Sequence, residues 1–264
     1  MREKKTPAQL KFQARQALRG NYGICVGMLL LIGAIFLALY IAILFPIVIG
    51  MVFSGGMNSI GPFVAFFGGF FLLIIIIVIG AYMMMLGYVR LCYNICAGRE
   101  RKIGDLFFAF THHIWKFLGL TLFFILIPQV LNIPIYIVQM GSQVSHQSPA
   151  FMIAFSTFMG ILEMILVFFL FLNYSMAPVI LVEDPERGLL EALRESRHIM
   201  RGNKGRLFWL SLTFFGMFLL SYCSLGIGFL WVLPYMVCTN IQFYFDITEV
   251  REAGPEAESS YFTS

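Results

Sequence analysis

The side chain with the most chemical potential in this sequence is Glu163. It is the only acidic residue inside any of the long apolar runs. A carboxylate in hydrocarbon is costly, so an intramembrane carboxyl marks a functional site by default. No Lys or Arg stands at a matching depth, so protonation or hydrogen bonding is the expected way of accommodating it. The preceding apolar run carries Gln129 and Asn132. If the two runs form antiparallel helices, Glu163 lies about 12 and Gln129 about 10 residues from their shared end, which at roughly 1.5 Å per residue gives similar depths. Pro128 and Pro134 flank Asn132. They remove backbone donors and favour a kink, and kinked helices with nearby polar groups can line cavities. Two readings follow: a polar pocket built from Glu163, Gln129 and Asn132, or a hydrogen bond that only packs two helices together.

Other reactive side chains make weaker patterns. His112 and His113 are adjacent, and successive helical residues diverge by about 100°, which suits metal chelation poorly. Beside Trp115 and Lys116 they fit a membrane interface better. The five cysteines, Cys25, Cys92, Cys96, Cys223 and Cys238, are odd in number and scattered. Buried free thiols are therefore expected rather than a disulfide framework or zinc site. Ser175, Ser196 and Ser211 have no recognisable histidine and acid motif around them, and no phosphate-cradling loop is present. The two glycines of LGIGFLW, Gly226 and Gly228, suit close helix packing between spans. The expectation is a non-enzyme with no metal and no cofactor.

The elements that must position these groups are dictated by composition. The chain is 59% hydrophobic and only 12% charged, with a mean hydropathy of +0.84. A soluble domain carries about a quarter charged residues, so the chain is expected to be an integral membrane protein. No charged residue or histidine occurs between Arg19 and Arg90, room for two crossings at about 20 residues each. The first run is too long for a signal-peptide core. Six spans are expected, at about 24–50, 63–89, 117–138, 151–177, 207–222 and 229–245. The fifth is short, and a re-entrant hairpin is the alternative there. A single six-span domain over 1–248 and a disordered tail over 249–264 complete the layout. Every one of the 18 Lys and Arg residues falls on one side of this topology. By the positive-inside rule both termini are cytoplasmic.

Three amphipathic helices are expected at the inner surface. One follows Thr6-Pro7 and ends at Gly20, with Leu10, Ala14, Ala17 and Leu18 as its stripe. A second, aromatic and partly polar, spans about 106–116. The third lies in the charged stretch 183–206. There Asp184 and Pro185 make a helix start, and Gly202 and Gly205 are natural stops. Leu189, Leu193, Ser196 and Met200 form its stripe, with Ala192 and Ile199 beside it. RGNYG at 19–23 recurs as RGNKG at 201–205, and the stripes of the two preceding helices share a phase. With the helix leading into LGLTLFF as a third copy, this predicts a threefold helix-plus-hairpin repeat, with units of about 1–89, 90–182 and 183–248. Chance likeness between short polar joints is the competing reading.

These segments also carry a resemblance. NYSMAPVILVEDP (173–185), EALRESRHIMRGNKGRLFWLSLTFFG (191–216) and LGIGFLWVLPYMVCTNIQFYFDI (225–247) resemble the bacterial membrane proteins of domain-of-unknown-function family 975. LKFQARQALRGNYG (10–23) and LGYVRLCYNICAGRERKIGDLF (86–107) fit as well. The spaced set Ser196, Gly202, Gly226, Gly228, Pro234 and Tyr235 is the most specific part, and Asp184-Pro185 belongs to the same pattern. The family is similar to the membrane domain that precedes some glycerophosphodiester phosphodiesterases. The resemblance implies a multi-pass protein of the bacterial cell membrane with no established reaction. No phosphodiesterase domain is recognisable here, so that activity is not carried over.

The function expected from all this is a lipid-associated envelope accessory or a scaffold for a membrane partner. The alternative is a small transporter or permease-type component that uses the polar groups near Glu163. Membrane lipids are the expected partners, with anionic headgroups at the N-terminal arm, where Lys4, Lys5, Lys11, Arg15 and Arg19 meet only Glu3. The stretch 183–206 has six basic and five acidic residues, which favours internal pairing there. Nucleic-acid binding is not expected.

Overall fold

A computed structural model describes residues 4–53, 60–100, 102–111, 113–145 and 149–252. Twelve α-helices and one 3-10 turn, with no strand, make up the described residues. They are α1 (Pro7–Leu18), α2 (Tyr22–Phe53), α3 (Ile60–Cys96), the 3-10 turn (Ile103–Phe107), α4 (Phe108–Thr111), α5 (Ile114–Leu131), α6 (Ile133–Ser145), α7 (Pro149–Tyr174), α8 (Ala177–Glu183), α9 (Leu189–Ile199), α10 (Lys204–Leu212), α11 (Phe215–Cys223) and α12 (Phe229–Glu252).

Five segments are long and apolar enough to cross a membrane: Tyr22–Pro46, Gly69–Cys96, Ile114–Val138, Ala150–Glu183 and Lys204–Cys223. The segment expected as a sixth span lies in α12, which is not among them. Its Thr239, Gln242 and Asp246 are polar yet buried, and Thr239 Oγ1 donates to the Tyr235 carbonyl at 2.7 Å. Protein rather than lipid covers these groups, so α12 does not need the apolarity of a lipid-facing helix.

Packing is concentrated at the basic end of the molecule. The core draws on Leu10, Ala14 and Leu18 of α1, Met83 to Ile95 of α3, Phe117 and Leu120 of α5, Leu172 to Val182, and the second half of α12. No described residue from 122 to 171 is buried, nor any from 29 to 46. Those segments present Leu37, Phe45, Ile153 and Phe158 outward. In hydrocarbon such exposure is not penalised, because lipid tails are as apolar as these side chains.

The amphipathic helices do not lie loosely on a surface. Thr6 and Gln9 form a capping box that starts α1. The helix then runs antiparallel along α12, with the Lys5 N–H donating to Asp246 Oδ1 and the Arg15 guanidinium 5.4 Å from the Tyr235 ring. The arm's cations are largely engaged within the protein. Lys11 Nζ donates to the Thr213 carbonyl at 3.1 Å and sits over the Phe214 ring. Burial, then the neighbouring Arg15 charge, lowers the Lys11 pKa.

Several expected boundaries move. Helix α3 continues seven residues beyond the expected end of its span, because Arg90 does not have to leave the protein. Its Nε lies 3.6 Å from Asp105 Oδ1, and its guanidinium stacks 3.5 Å from the Phe108 centroid. The expected span 117–138 lies within the single apolar segment Ile114–Val138, where Asn132 marks the junction of α5 and α6. The expected aromatic helix 106–116 is split by His113, whose φ is 48°; His112 lies outside the described residues. Asp184 and Pro185 do not start a helix. Asp184 caps the C-terminus of α8, accepts the Glu186 N–H at 3.2 Å and pairs with Arg187, and α9 begins only at Leu189. The loop 184–188 exists because this carboxylate satisfies the turn locally. Helix α12 runs on to Glu252, into the segment expected as a tail; residues 253–264 lie outside the described part.

The two joints that share RGN also share a conformation. Leu10, Ala14 and Leu18 are buried in one, and Ala192, Ser196 and Met200 at the same spacing in the other. Gly20 and Gly202 have φ of 82° and 79°, the left-handed region that glycine adopts without strain. The Asn21 and Asn203 side chains donate to the carbonyls of Ala17 and Ile199, at 2.8 and 3.0 Å.

Candidate functional site

An apolar crevice of about 460 Å³ opens among α3, α5, α7, α8 and α12. Its size falls within the roughly 300–1,000 Å³ of small-molecule sites. Leu86 and Val89 come from α3, Phe123, Phe124 and Pro128 from α5, Val167 and Phe171 from α7, and Val179 from α8. Polar groups are few: the Tyr82 hydroxyl, Ser175 and Asn240. Ser175 Oγ is spent on the Leu172 carbonyl at 3.5 Å. Pro128 makes part of the wall, and the α5–α6 junction follows it.

The polar residues singled out from the sequence do not line this crevice. Asn132 is one helical turn beyond Pro128, and Glu163 one turn beyond Val167. Asn132 Nδ2 donates to Glu163 Oε1 at 2.6 Å and also lies 3.2 Å from the Pro128 carbonyl. Two of the three predicted residues are thus brought together across the helix pair. Gln129 is not: its side chain is exposed, and only its backbone carbonyl meets Asn132, accepting the Asn132 N–H at 3.2 Å. The pair ties the α5–α6 junction to α7. Replacing Glu163 by Gln keeps an acceptor for Asn132, so Glu163→Gln is expected to leave folding within about 0.5 kcal/mol of the parent. Glu163→Ala removes the bond and is expected to cost roughly 0.6–1.7 kcal/mol, the range for polar contacts within membranes. Thermal unfolding of detergent-purified protein compares the two; loss of inserted protein with Glu163→Gln would contradict the expectation.

A family model described as "Protein of unknown function (DUF975)" matches residues 1–251. The chain belongs to the DUF975 family. No curated protein and no solved structure matches it.

The residues of the DUF975 pattern do structural work at helix junctions. Ser196 is fully buried, and its Oγ donates to the Asn173 carbonyl at 3.0 Å, fastening α9 to the end of α7. Gly226 has φ of 89°, and a methyl group on Gly228 would lie 2.7 Å from Ser221 Cα. Both are therefore demanded by the tight α11–α12 turn. Pro234 lies inside α12. Tyr235 is buried edge-on against Phe214, 5.3 Å between ring centres.

Two groupings in this DUF975 chain were not evident beforehand. Glu183 accepts hydrogen bonds from Tyr93 on α3, at 2.8 Å, and from Tyr244 on α12. One carboxylate so joins three helices. The thiols are not scattered either. Cys25 of α2, Cys92 of α3 and Cys238 of α12 are all fully buried in one core, and Cys96 Sγ donates to the Cys238 carbonyl at 3.9 Å. All five cysteines are free. Among the described residues no group of three His, Cys, Asp or Glu is placed to hold a metal ion. A spacing rule could not find the cluster, because its members come from helices far apart in sequence. At the α5 entrance, His113 Nε2 shares a 2.8 Å hydrogen bond with Glu186 Oε1, which holds the Glu186 carboxyl below its ordinary pKa. Lys116 Nζ donates to the carbonyls of Pro185 and Glu186. These contacts pin the loop 184–188 against the start of α5.

Proposed function

We propose that this protein is a non-enzymatic, lipid-associated accessory of the bacterial cell membrane, and that the crevice receives a lipid acyl chain. In this reading α12 completes a six-span topology with the basic end, and both termini, on the cytoplasmic side. The crevice is the observation that carries it. Its lining is almost wholly apolar, and it lies within three of the segments apolar enough to cross a membrane. A hydrocarbon chain gains roughly 0.8 kcal/mol for each methylene buried from water, but nothing comparable on leaving one apolar medium for another. Such a site therefore holds its occupant by shape and by the few polar groups at its edges. Asn240 supplies one such group from the wall.

A phospholipid carrying a photoactivatable acyl chain tests this in proteoliposomes. Adducts should concentrate on crevice residues such as Phe171, Val179 and Ile241. Val167→Trp, which fills the crevice, should reduce them roughly tenfold, about 1.4 kcal/mol. Labelling spread evenly over Leu37, Ile153 and the other outward residues would refute the reading. The alternative, a permease-type component using Glu163, draws support from the polar Asn132–Glu163 pair inside two segments apolar enough to cross a membrane. It requires Glu163→Gln to abolish a transport or proton-flux signal while the fold survives.

A further inference from the structure

The second cavity of interest, about 320 Å³, lies beside the crevice at the basic end. Leu170, Asn173 and Tyr174 of α7 line it together with Arg197, Arg201 and Lys204. Its position follows from local structure. Arg197 and Arg201 are four residues apart and so lie on one face. The chain then reverses at Gly202, with φ of 79°, which returns Lys204 to the same side as the first residue of α10. Three cations converge on a cavity with no acidic residue in its lining. Among the described residues none of the three side chains makes an ion pair or a hydrogen bond, and three carboxylates of the stretch 183–206 are engaged elsewhere. Asp184 pairs with Arg187, Glu183 with Tyr93 and Tyr244, and Glu186 with His113. The near-neutral count of charges in 183–206 thus hides a local excess of positive charge.

Two further features point to an anion. The Tyr174 hydroxyl has no hydrogen-bond partner among the described residues and is a free donor at the cavity. Helix α10 has no side-chain cap: the Asn203 amide donates backwards to the Ile199 carbonyl. Its first N–H groups therefore remain available at the end where Lys204 stands, and such an end favours negative charge. The Asn173 amide nitrogen is already spent on the Phe169 carbonyl at 2.7 Å.

The cavity also adjoins the crevice. Leu170 lines both. Tyr174, of the cavity, packs edge-on against Phe123, of the crevice, at 5.1 Å between ring centres. A phosphate-sized polar site sharing a wall with an apolar slot matches the two halves of a glycerophospholipid. We infer that Arg197, Arg201, Lys204 and Tyr174 bind the phosphate of an anionic phospholipid whose acyl chain enters the crevice past Leu170. This rests on the lipid reading of the crevice and adds the headgroup class. Guanidinium groups suit phosphate oxygens through paired N–H donors.

The test uses the full chain in nanodiscs of phosphatidylcholine containing a minority of phosphatidylglycerol, with native mass spectrometry of the lipids retained on release. The parent should retain phosphatidylglycerol in preference to phosphatidylcholine. The variant R197Q/R201Q/K204Q should lose that preference by about tenfold or more, taking roughly 1 kcal/mol for each cation near an anionic lipid. A charge-matched control, R99Q/K102Q/R194Q, should keep it. Photolabelling of the crevice by an acyl-chain probe is read on the same samples. Lost selectivity with crevice labelling retained supports the inference. Unchanged selectivity with labelling retained overturns the headgroup site and leaves the crevice reading standing. Absence of labelling in the parent overturns both. Full displacement of phosphatidylglycerol from the parent by millimolar inorganic phosphate would assign the site to a soluble anion and overturn the lipid source. Equal thermal stability of the two triple variants separates loss of the site from loss of the fold.

Discussion

Asp246→Ala is expected to destabilise the folded protein by about 3–5 kcal/mol, the range for removing one partner of a buried ion pair. Asp246 is only 2% exposed. Its Oδ2 accepts from Arg206 Nη2 at 2.6 Å, and its Oδ1 from the Lys5 N–H at 3.2 Å. The same Arg206 nitrogen donates to the Lys5 carbonyl at 2.9 Å. One carboxylate therefore closes the arm before α1, the start of α10 and the end of α12 upon one another. Without it, a mostly buried guanidinium loses its counter-charge and the Lys5 N–H its acceptor. Asp246→Asn should fall between, since it keeps an acceptor but no charge. The double variant D246L/R206M should be milder than Asp246→Ala, because replacing both partners with apolar groups avoids the stranded charge. Thermal unfolding in detergent measures all three. Equal stability of Asp246→Ala and parent would show that the junction is held by packing alone.

Gly87→Ala is the second large effect. The Leu106 carbonyl lies directly over Gly87, and a methyl group there would overlap its oxygen and come within 2.8 Å of Leu106 Cα. The obstruction is backbone, so it cannot rotate away as a side chain would. The cost should exceed the roughly 1–3 kcal/mol usual for overpacking, as the 3-10 turn must separate from α3. That separation would pull Asp105 from Arg90 and from Asn94, which donates to it at 2.9 Å. The expected result is little or no monodisperse protein after extraction. Adding Leu106→Ala should not rescue it, because the clash is with the peptide group. Rescue by that second change would mean that the side chain, not the backbone, sets the distance. Gly119 is the useful contrast: a methyl there meets only the tip of the Leu189 side chain, which can move.

Much of the architecture is a direct consequence of solubility, and local order suffices to read it. The uncharged run between Arg19 and Arg90 had to become apolar helix. Leu10, Ala14 and Leu18 repeat at helical spacing and are buried as a stripe. The stop at Gly202 required a residue that accepts positive φ. Counting residues from a shared end matched Glu163 with Gln129, within one helical turn of its actual partner Asn132, because helices in a bilayer have a fixed rise and nearly common depth.

Other features depend on neighbours that sequence distance conceals. Pro185 promised a helix start, but Asp184 found closer partners in Glu186 and Arg187, and the turn won. Arg90 promised the end of a span, but Asp105 and Phe108 gave it a place inside the protein. The thiol cluster and the Glu183 junction each join helices separated by many residues. The clearest case is the stretch 183–206. Six basic and five acidic residues are fixed by the sequence alone, and a count of them predicts neutrality. Which charges neutralise which is decided only when the helices pack: Tyr93, Tyr244 and His113, all from outside the stretch, take up Glu183 and Glu186, and Arg197, Arg201 and Lys204 are left facing one cavity. Charge number is a property of composition, whereas charge pairing falls off within ångströms and belongs to the tertiary structure.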